Sequence, residues 1–254
     1  AGLVVSAVYD DGTKEVIADY TVDGFDSATA GTKTITVTAG EFTATFTVEV
    51  VINVTITLNA VNGATGANLT WTAADVDSYN VYRRAYEGNV AGEWELIATT
   101  AETAYIDTTV ANGIKYDFAV AAVAGESESE KCEAVQIIFV ETVKGIVLSN
   151  TPAGVQIKWR ANAAATKYWI YRYDLIDGVW TETMKKSHAD LENTVYVDRS
   201  AVSGTEYRYT VRAMIGTTQY SEYTEGVAVI RLANVTNVSI SNQNEGLVLT
   251  WKAY

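Results

Sequence analysis

Three aromatic side chains that alternate along one stretch are the residues best suited to binding a ligand. Trp169, Tyr171 and Tyr173 are each separated by one residue, so in a β-strand their rings lie on the same face. A second alternating stretch contains Arg208 and Arg212, and we predict that it pairs beside the first. The rings could contact a glycan or a protein, or the arginine side chains could cover them in a cation–π ladder that needs no ligand. The sequence leaves both alternatives open.

Residue types that support catalysis or bind metals are scarce. The chain has one cysteine, Cys132, and one histidine, His188, which excludes a disulfide framework, a zinc site and a Cys/His nucleophile pair. Five aspartates lie near the N-terminus: Asp10, Asp11, Asp19, Asp23 and Asp26. Calcium loops need oxygen ligands at fixed spacing, and this spacing does not occur. We therefore predict no catalytic residue, no metal and no cofactor, and a solvated acidic surface near the N-terminus.

The net charge of −13 is unevenly distributed. Residues 1–51 carry two basic and eight acidic side chains, residues 52–140 carry four and twelve, and residues 141–232 carry eleven and ten. Nucleic-acid binding requires Lys and Arg to neutralise phosphates, so we predict no nucleic-acid partner. No run approaches the roughly 18 apolar residues of a membrane span, so we predict no membrane insertion.

The elements that position these side chains follow from an internal repeat. Each copy places a tryptophan at the end of an alternating stretch, with a glycine five residues before it, and the tryptophans are Trp71, Trp159 and Trp251. Their spacings of 88 and 92 residues are those of whole small domains. Because each tryptophan shares its face with apolar neighbours, we predict that all three are core residues.

A second landmark repeats in the two complete copies. Tyr116 and Tyr207 each follow an aspartate, Asp107 or Asp198, by nine residues. Several short strands, a core tryptophan and a tyrosine at a corner describe a β-sandwich in which the tyrosine hydroxyl bonds to the main chain. Residues 52–232 therefore resemble a pair of fibronectin type III domains. We expect the aspartates to accept backbone N–H groups in the turns before the tyrosines.

The first 51 residues differ from the repeat but also favour strands. Asp10-Asp11-Gly12 is typical of a hairpin turn, and residues 42–50 alternate strictly, which predicts a half-buried strand. Together with Tyr20-Thr21-Val22 and Gly24-Phe25-Asp26, these stretches resemble the bacterial Ig-like domains of group 3. The resemblance implies one further strand before Leu3, so we expect this domain to be truncated at its N-terminus.

The predicted architecture is an all-β, elongated array of Ig-like and fibronectin type III sandwiches. We place an Ig-like domain at residues 1–51, fibronectin type III-like domains at residues 52–140 and 141–232, and the truncated start of another at residues 233–254. The junctions contain no Gly, Ser or Pro run, so they are not flexible linkers by composition. We therefore expect neighbouring domains to be held semi-rigidly.

The resemblance also implies a function. Modules of these kinds occur in secreted or cell-surface bacterial proteins, including adhesins and large carbohydrate-active enzymes. We therefore expect a non-catalytic spacer that positions adhesive or catalytic domains of a parent chain outside the cell or at its surface, with those domains as its partners. The alternative is a module that binds a glycan or protein through the strip at Trp169. An uncovered strip would favour the alternative, whereas arginine side chains lying over the rings would not.

Overall fold

The chain is entirely β in the part that the structure describes. This structure is a computed structural model, and it describes residues 3–27 and 29–252. These residues form 24 strands and no helix, as the alternation of apolar and polar residues predicts. The predicted all-β class is therefore confirmed. Within the described ranges, no helix has the length and apolar character that crossing a membrane requires.

The N-terminal segment forms a hairpin and a separate three-stranded sheet. Its strands are β1 (Val5–Val8), β2 (Lys14–Ile17), β3 (Thr21–Asp23), β4 (Gly31–Ala39) and β5 (Phe42–Val50). Strand β1 pairs with β2, and β4 lies between β3 and β5. Gly12 has a φ of 83° in the turn between β1 and β2, a conformation that glycine adopts without strain. The predicted hairpin turn is confirmed.

Strand β5 is less buried than its pattern predicts. Phe42 is 82% exposed and Phe46 is 40% exposed, so the prediction of a half-buried strand was wrong for most of its length. A cleft of about 440 Å³ separates the β1–β2 hairpin from Val37 and Phe42. Because the hairpin does not close over the sheet, the apolar side chains of β5 stay in contact with solvent.

Two sandwiches with the same strand arrangement follow. In the first sandwich, one sheet contains β6 (Leu58–Asn62), β7 (Ala67–Trp71) and β11 (Ala104–Asp107). The other contains β8 (Ser78–Glu87), β9 (Val90–Ala91), β10 (Glu95–Thr100), β12 (Lys115–Ala124), β13 (Ser127–Glu128) and β14 (Val135–Ile138). Three strands thus face four main strands, which is the arrangement that the fibronectin type III resemblance predicts.

The second sandwich repeats this order. One sheet contains β15 (Val147–Thr151), β16 (Gly154–Lys158) and β19 (Val195–Asp198). The other contains β17 (Lys167–Ile176), β18 (Val179–His188), β20 (Glu206–Ile215), β21 (Gln219–Tyr220) and β22 (Val227–Ile230). Strand β18 has ten residues, whereas its counterpart β10 has six. The longer strand covers more of the sheet edge in the second sandwich.

Each sandwich encloses its own apolar core around its tryptophan. Trp71 is 7% exposed and Trp159 is 3% exposed. Each indole packs edge-on against a tyrosine, with ring centroids 5.6 Å apart for Trp71 and Tyr79 and 5.3 Å apart for Trp159 and Tyr168. Such edge-to-face pairs suit the charge distribution of aromatic rings. The inward position predicted for these two tryptophans agrees with the structure.

The third tryptophan does not follow this pattern. Strands β23 (Thr236–Gln243) and β24 (Gly246–Lys252) form an isolated hairpin, and Trp251 at its end is 54% exposed. The prediction of a buried Trp251 was therefore wrong for the described chain. Burial of a sheet residue needs a second layer, and no other strand of residues 3–27 or 29–252 pairs with this hairpin.

The repeated glycine permits a close backbone approach. A Cβ atom on Gly66 would lie 2.2 Å from the carbonyl oxygen of Asp107, and one on Gly154 would lie 2.1 Å from that of Asp198. These distances are far below ordinary contact, so a side chain would displace the end of β11 or β19. The glycine therefore allows the aspartate corner to approach the start of the tryptophan strand.

Candidate functional site

The aspartate and tyrosine landmarks form the same corner in both sandwiches. The hydroxyl oxygen of Tyr116 accepts a hydrogen bond from the N–H of Ala111 at 3.0 Å, and that of Tyr207 accepts one from Val202 at 2.9 Å. Oδ1 of Asp198 accepts the N–H of Ser200 at 2.9 Å, and Asp107 bonds Thr109 in the same way. These contacts stabilise turns, as the sequence predicts.

A half-buried arginine completes each corner, and sequence reasoning missed its role. Nη1 of Arg83 lies 2.8 Å from Oδ2 of Asp107, and Nη1 of Arg172 lies 3.0 Å from Oδ2 of Asp198. The Arg172 guanidinium carbon lies 4.9 Å from the centre of the Tyr207 ring. The signal was available, because each arginine follows the first tyrosine of its strand by four residues. With its partners satisfied, this corner is structural.

Burial and hydrogen bonding act in opposite directions on Asp198. Burial favours the neutral acid, but hydrogen bonds from Ser200 and Tyr209 outweigh it, so the pKa of Asp198 is below its ordinary value. The pKa of Tyr209 is raised, first by burial and then by its hydrogen bond to this carboxylate. Asp198 therefore stays ionised beside Arg172 at neutral pH.

Neither Cys132 nor His188 is arranged for catalysis. The sulfur of Cys132 accepts the N–H of Val120 at 3.3 Å, and burial raises the pKa of its thiol. Nε2 of His188 lies 2.6 Å from the carbonyl oxygen of Asn193, and its ring packs on Trp159. The described residues contain no group of three or more His, Cys, Asp or Glu side chains placed to hold a metal.

The predicted pairing beside the aromatic strip is confirmed. Across β17 and β20, Trp169 lies opposite Arg212 and Tyr173 lies opposite Arg208. Tyr171 lies between them, opposite Thr210. The two arginines therefore lie on the same sheet face as the three aromatic residues.

The rings of this strip are largely covered. Tyr171 is only 2% exposed, because Nζ of Lys185 lies 5.4 Å from its ring centre and the edge of Tyr223 packs against it at 5.1 Å. Lys185 also lies 4.7 Å from the centre of the Trp169 ring. Arg212 stacks on Tyr223 at 4.3 Å rather than on the strip itself. The long strand β18 supplies the lysine, and the segment after β21 supplies the tyrosine.

The matching face of the first sandwich is neutralised by carboxylates. The hydroxyl of Tyr82 donates to Glu128 at 2.6 Å, and Nη2 of Arg84 lies 2.7 Å from Oδ2 of Asp117. Burial and then Glu128 raise the pKa of Tyr82 to about 12. Arg84 and Tyr82 are therefore both held in internal contacts on this face.

Successive residues of the chain join the two sandwiches. Phe139 packs in the first core, and Val140, the next residue, packs in the second. Both side chains are buried. No free linker separates the sandwiches at this point, because two adjacent residues are buried in different cores.

Asn62 supports one side of this junction. Its Nδ2 donates to the carbonyl oxygens of Ile138 and Tyr220, both at 3.0 Å, and its Oδ1 accepts the N–H of Val140 at 3.3 Å. The side chain of Gln219 accepts the N–H of Ile138 at 3.3 Å. Strand β6 of the first sandwich is thus bonded to β21 of the second.

Two further asparagines support the other side. Nδ2 of Asn112 donates to Oδ1 of Asn162 at 2.8 Å, and Oδ1 of Asn112 accepts the N–H of Glu141 at 2.9 Å. Nδ2 of Asn162 donates to the carbonyl of Glu141 at 2.8 Å. A Cβ atom on Gly113 would lie 2.7 Å from Cβ of Ala164. The sandwiches are therefore in tight contact here as well.

Sequence reasoning missed the asparagine at this junction, although it repeats. Asn62, Asn150 and Asn242 each lie nine residues before the tryptophan of their copy. In the second sandwich Asn150 donates to the carbonyl of Ile230 and accepts the N–H of Leu232, both at 2.9 Å. The repeated asparagine thus ties the first strand of each sandwich to the chain that leaves it.

The comparisons with known proteins match parts of this chain. Residues 1–50 match the model of the bacterial Ig-like domain (group 3). The amylopullulanase of Thermoanaerobacter thermohydrosulfuricus is 43% identical over 68 residues, which are 26% of this chain and 4% of that protein. Pectate lyase L of Thermoclostridium stercorarium is 49% identical over 51 residues, 19% of this chain and 4% of that protein. The chain thus spans only a small part of each curated relative.

Solved structures with similar architecture include two from chicken. The match to a two-domain fibronectin type III segment of tenascin spans 68% of this chain and 97% of the tenascin segment, with 18% identity and a TM-score of 0.37. The match to the FN1–FN3 domains of CNTN1 spans 79% of this chain and 77% of the CNTN1 chain, with 11% identity and a TM-score of 0.34. The family match to residues 1–50 confirms the resemblance predicted for the N-terminal segment.

Proposed function

We propose that this chain is a non-catalytic spacer that holds neighbouring domains of a larger bacterial protein at a fixed distance and orientation. The observation that carries the proposal is the junction between the two sandwiches, where Phe139 and Val140 enter different cores. Hydrogen bonds on two sides of this junction add to its stiffness. A typical intramolecular hydrogen bond stabilises by about 0.5–1.5 kcal/mol, so several acting together oppose bending.

The partial relatives support a role beside other domains. Both are named as enzymes, and each shares only 4% of its length with this chain. A small shared region fits an accessory part of a large carbohydrate-active enzyme better than its catalytic part. The parent protein would then act outside the cell or at its surface, and its other domains would be the partners of this chain. The domain limits at residues 51, 140 and 232 belong to the same proposal.

The alternative function, binding of a glycan or a protein through the aromatic strip at Trp169, has less support. Tyr171 is buried, and Lys185 lies over the rings of both Trp169 and Tyr171. A sugar ring could stack on these faces only after the lysine had moved away. The predicted arginine ladder over these rings was wrong, because Lys185 and Tyr223 cover them instead, but this arrangement also needs no stacked ligand.

The spacer proposal is tested by ¹⁵N relaxation of the whole chain. If the sandwiches form one unit, their amides report the same rotational correlation time. In the double variant Asn62→Ala, Asn112→Ala the two times should fall and diverge. Asn150→Ala is the matched control, because it removes the repeated asparagine without touching this junction. Independent tumbling in the wild-type protein would contradict the proposal.

The non-catalytic part of the proposal has its own test. The purified chain is incubated with starch, pullulan and polygalacturonate, and released reducing ends and unsaturated products are measured. We expect no product above the rate without protein. Product formation that follows the protein through purification would overturn this part of the proposal.

A further inference from the structure

The outer face of the second sandwich carries cations without acidic partners. Lys167, Lys185, Arg208 and Arg212 form this cationic face, which lies over β17, β18 and β20. In the described chain, no carboxylate oxygen lies within 4.0 Å of a charged nitrogen of these four residues. Glu182 lies opposite Tyr173, and Glu222 precedes Tyr223, but neither forms an ion pair with the face. The face therefore keeps an excess of positive charge.

The first sandwich shows what this face looks like when it is neutralised. Asp117 on β12 binds Arg84, whereas the corresponding residue on β20 is Arg208, which lies opposite Tyr173. Glu128 accepts the Tyr82 hydroxyl. The same fold thus carries acids at these positions in one copy and none in the other. The positive face is a property of the second sequence and not of the fold.

The rings beneath the cations hold them in place. Lys185 lies over Trp169 and Tyr171, and Arg212 lies 4.3 Å from the Tyr223 ring. Nε of Arg212 also donates to the carbonyl of Ser221 at 2.7 Å. Cation–π contacts attract each charge to the ring face and so restrict the side chain. Because these side chains are already ordered, a ligand loses less affinity to their immobilisation.

The arrangement suits an extended chain of anions. Residues on one face of a strand recur about every 6.6 Å, and neighbouring strands are about 4.8 Å apart. Arg208 and Arg212, four residues apart on β20, are therefore separated by about 13 Å along the strand. Guanidinium groups bind carboxylates through paired charge-assisted hydrogen bonds. A polymer that presents one carboxylate on each ring can contact several of these cations at once.

We propose that the cationic face binds an acidic polysaccharide, a chain of uronic acid residues, through its carboxylates. The contacts are made by the cations, and the aromatic rings position them instead of stacking on sugars. Single-stranded nucleic acid fits less well, because its bases need exposed aromatic rings to stack on, and Tyr171 is buried beneath Lys185. This inference goes beyond the spacer role and does not depend on it.

The test is isothermal titration of the whole chain with polygalacturonate oligomers in low-salt buffer at pH 7. Fully methyl-esterified oligomers keep the sugar rings but lose the charge, and neutral malto-oligomers lack both carboxylate and ester. We expect binding to the acid form only, weakening as salt is added because exposed charges are screened. Equal affinity for the esterified oligomer, or no binding to the acid form, would overturn the proposal.

Matched variants locate the site. Lys185→Ala combined with Arg212→Gln should weaken binding by about tenfold or more, because both charged contacts to the carboxylates are lost. Lys131→Ala is the control, since Lys131 lies 4.0 Å from the Tyr82 ring on the first sandwich. Equal loss in both variants would overturn the location. The proposal that the ligand is an acidic polysaccharide would be overturned if single-stranded DNA bound more tightly, or if self-association of the protein accounted for the heat.

Discussion

Asp198 is the single residue on which the second sandwich depends most. It is 1% exposed, it pairs with Arg172, and it accepts hydrogen bonds from Ser200 and Tyr209. Removal of one partner from a buried ion pair typically costs about 3–5 kcal/mol, and the lower end of this range applies here because Arg172 keeps Asp174 as a second partner at 2.9 Å. We therefore predict that Asp198→Ala lowers the free energy of unfolding of this sandwich by that amount. Urea titration followed by the amide signals of β20 measures it.

The control for this prediction is Glu192→Ala. Glu192 is exposed in the segment before β19, so its removal should change the free energy of unfolding by less than about 0.5 kcal/mol. The signals of β12 in the first sandwich should not shift in either variant. Equal effects of the two substitutions would show that Asp198 does not have the role assigned to it.

The lowered pKa of Asp198 predicts a direction for acid sensitivity. A carboxylate whose pKa is lower in the folded state stabilises the fold above its unfolded pKa of about 3.9. That stabilisation is lost as the pH falls through the folded value. We predict a constant contribution from this group between pH 7 and 5 and a decline below about pH 4. Asp198→Asn, compared by urea unfolding from pH 7 to 2.5, should show a shallower decline, and an equal decline would contradict the prediction.

At the residue scale, the sequence predicted those corner contacts that are made by residue types recurring at a constant spacing in both copies. Tyr116 and Tyr207 follow an aspartate at a constant distance, so their hydroxyl contacts could be foreseen. The repeat marks Arg83 and Arg172 as equivalent positions, but it does not show which carboxylate each arginine meets across the sandwich. Asn62 was missed for a similar reason, since its partners lie far away in the sequence.

At the scale of elements, the repeated glycine sets how closely strands can approach. Gly154 has a φ of 151°, and a Cβ atom at this position would lie 2.1 Å from the carbonyl oxygen of Asp198. We predict that Gly154→Ala destabilises the second sandwich by more than about 1 kcal/mol, because both the backbone conformation and the contact oppose a side chain. Gly246 occupies the same place in the last copy, has a φ of 126° and meets nothing within 4 Å. Gly246→Ala should therefore cost less in thermal unfolding, and a larger cost there would contradict this account.

Strand β17, which carries the aromatic strip, shows what an alternating pattern can and cannot predict. Alternation predicts the register of β17 against β20, because side chains two residues apart share a face. It does not predict that Tyr171 is buried, because the side chains that cover it, Lys185 and Tyr223, belong to other segments. The sequence of β17 carries no information about the length or the path of those segments. The same limit applies to β5, where the alternation is present and the covering layer is not.

At the scale of the whole molecule, composition predicted that the two sandwiches are not joined by a flexible linker, but it did not predict the contacts between them. A junction without Gly, Ser or Pro runs predicts limited flexibility. The specific contacts between Asn112 and Asn162 and between Asn62 and Tyr220 arise from residues that meet only after both sandwiches have folded. Trp251 illustrates the converse, because a repeat in sequence predicts burial only where its second sheet is present.

The close approach of the sandwiches predicts the effect of a bulky side chain. Ala164 lies against Gly113 across the junction, so Ala164→Trp should force the sandwiches apart while each keeps its own core. We expect a larger radius of gyration and a broader distance distribution in small-angle X-ray scattering. Ala163→Trp is the matched control, since Ala163 is exposed and should leave the scattering unchanged. A compact profile for Ala164→Trp would contradict the tight junction.

The most direct test of the rigid spacer is a set of residual dipolar couplings measured on the wild-type chain in a dilute aligned medium. If Phe139, Val140 and the asparagine contacts hold the sandwiches as one body, the couplings of both sandwiches fit a single alignment tensor with the orientation given by the structure. If the junction bends freely, the two sandwiches require tensors of different magnitude, and the account of this chain as a stiff connecting element is wrong.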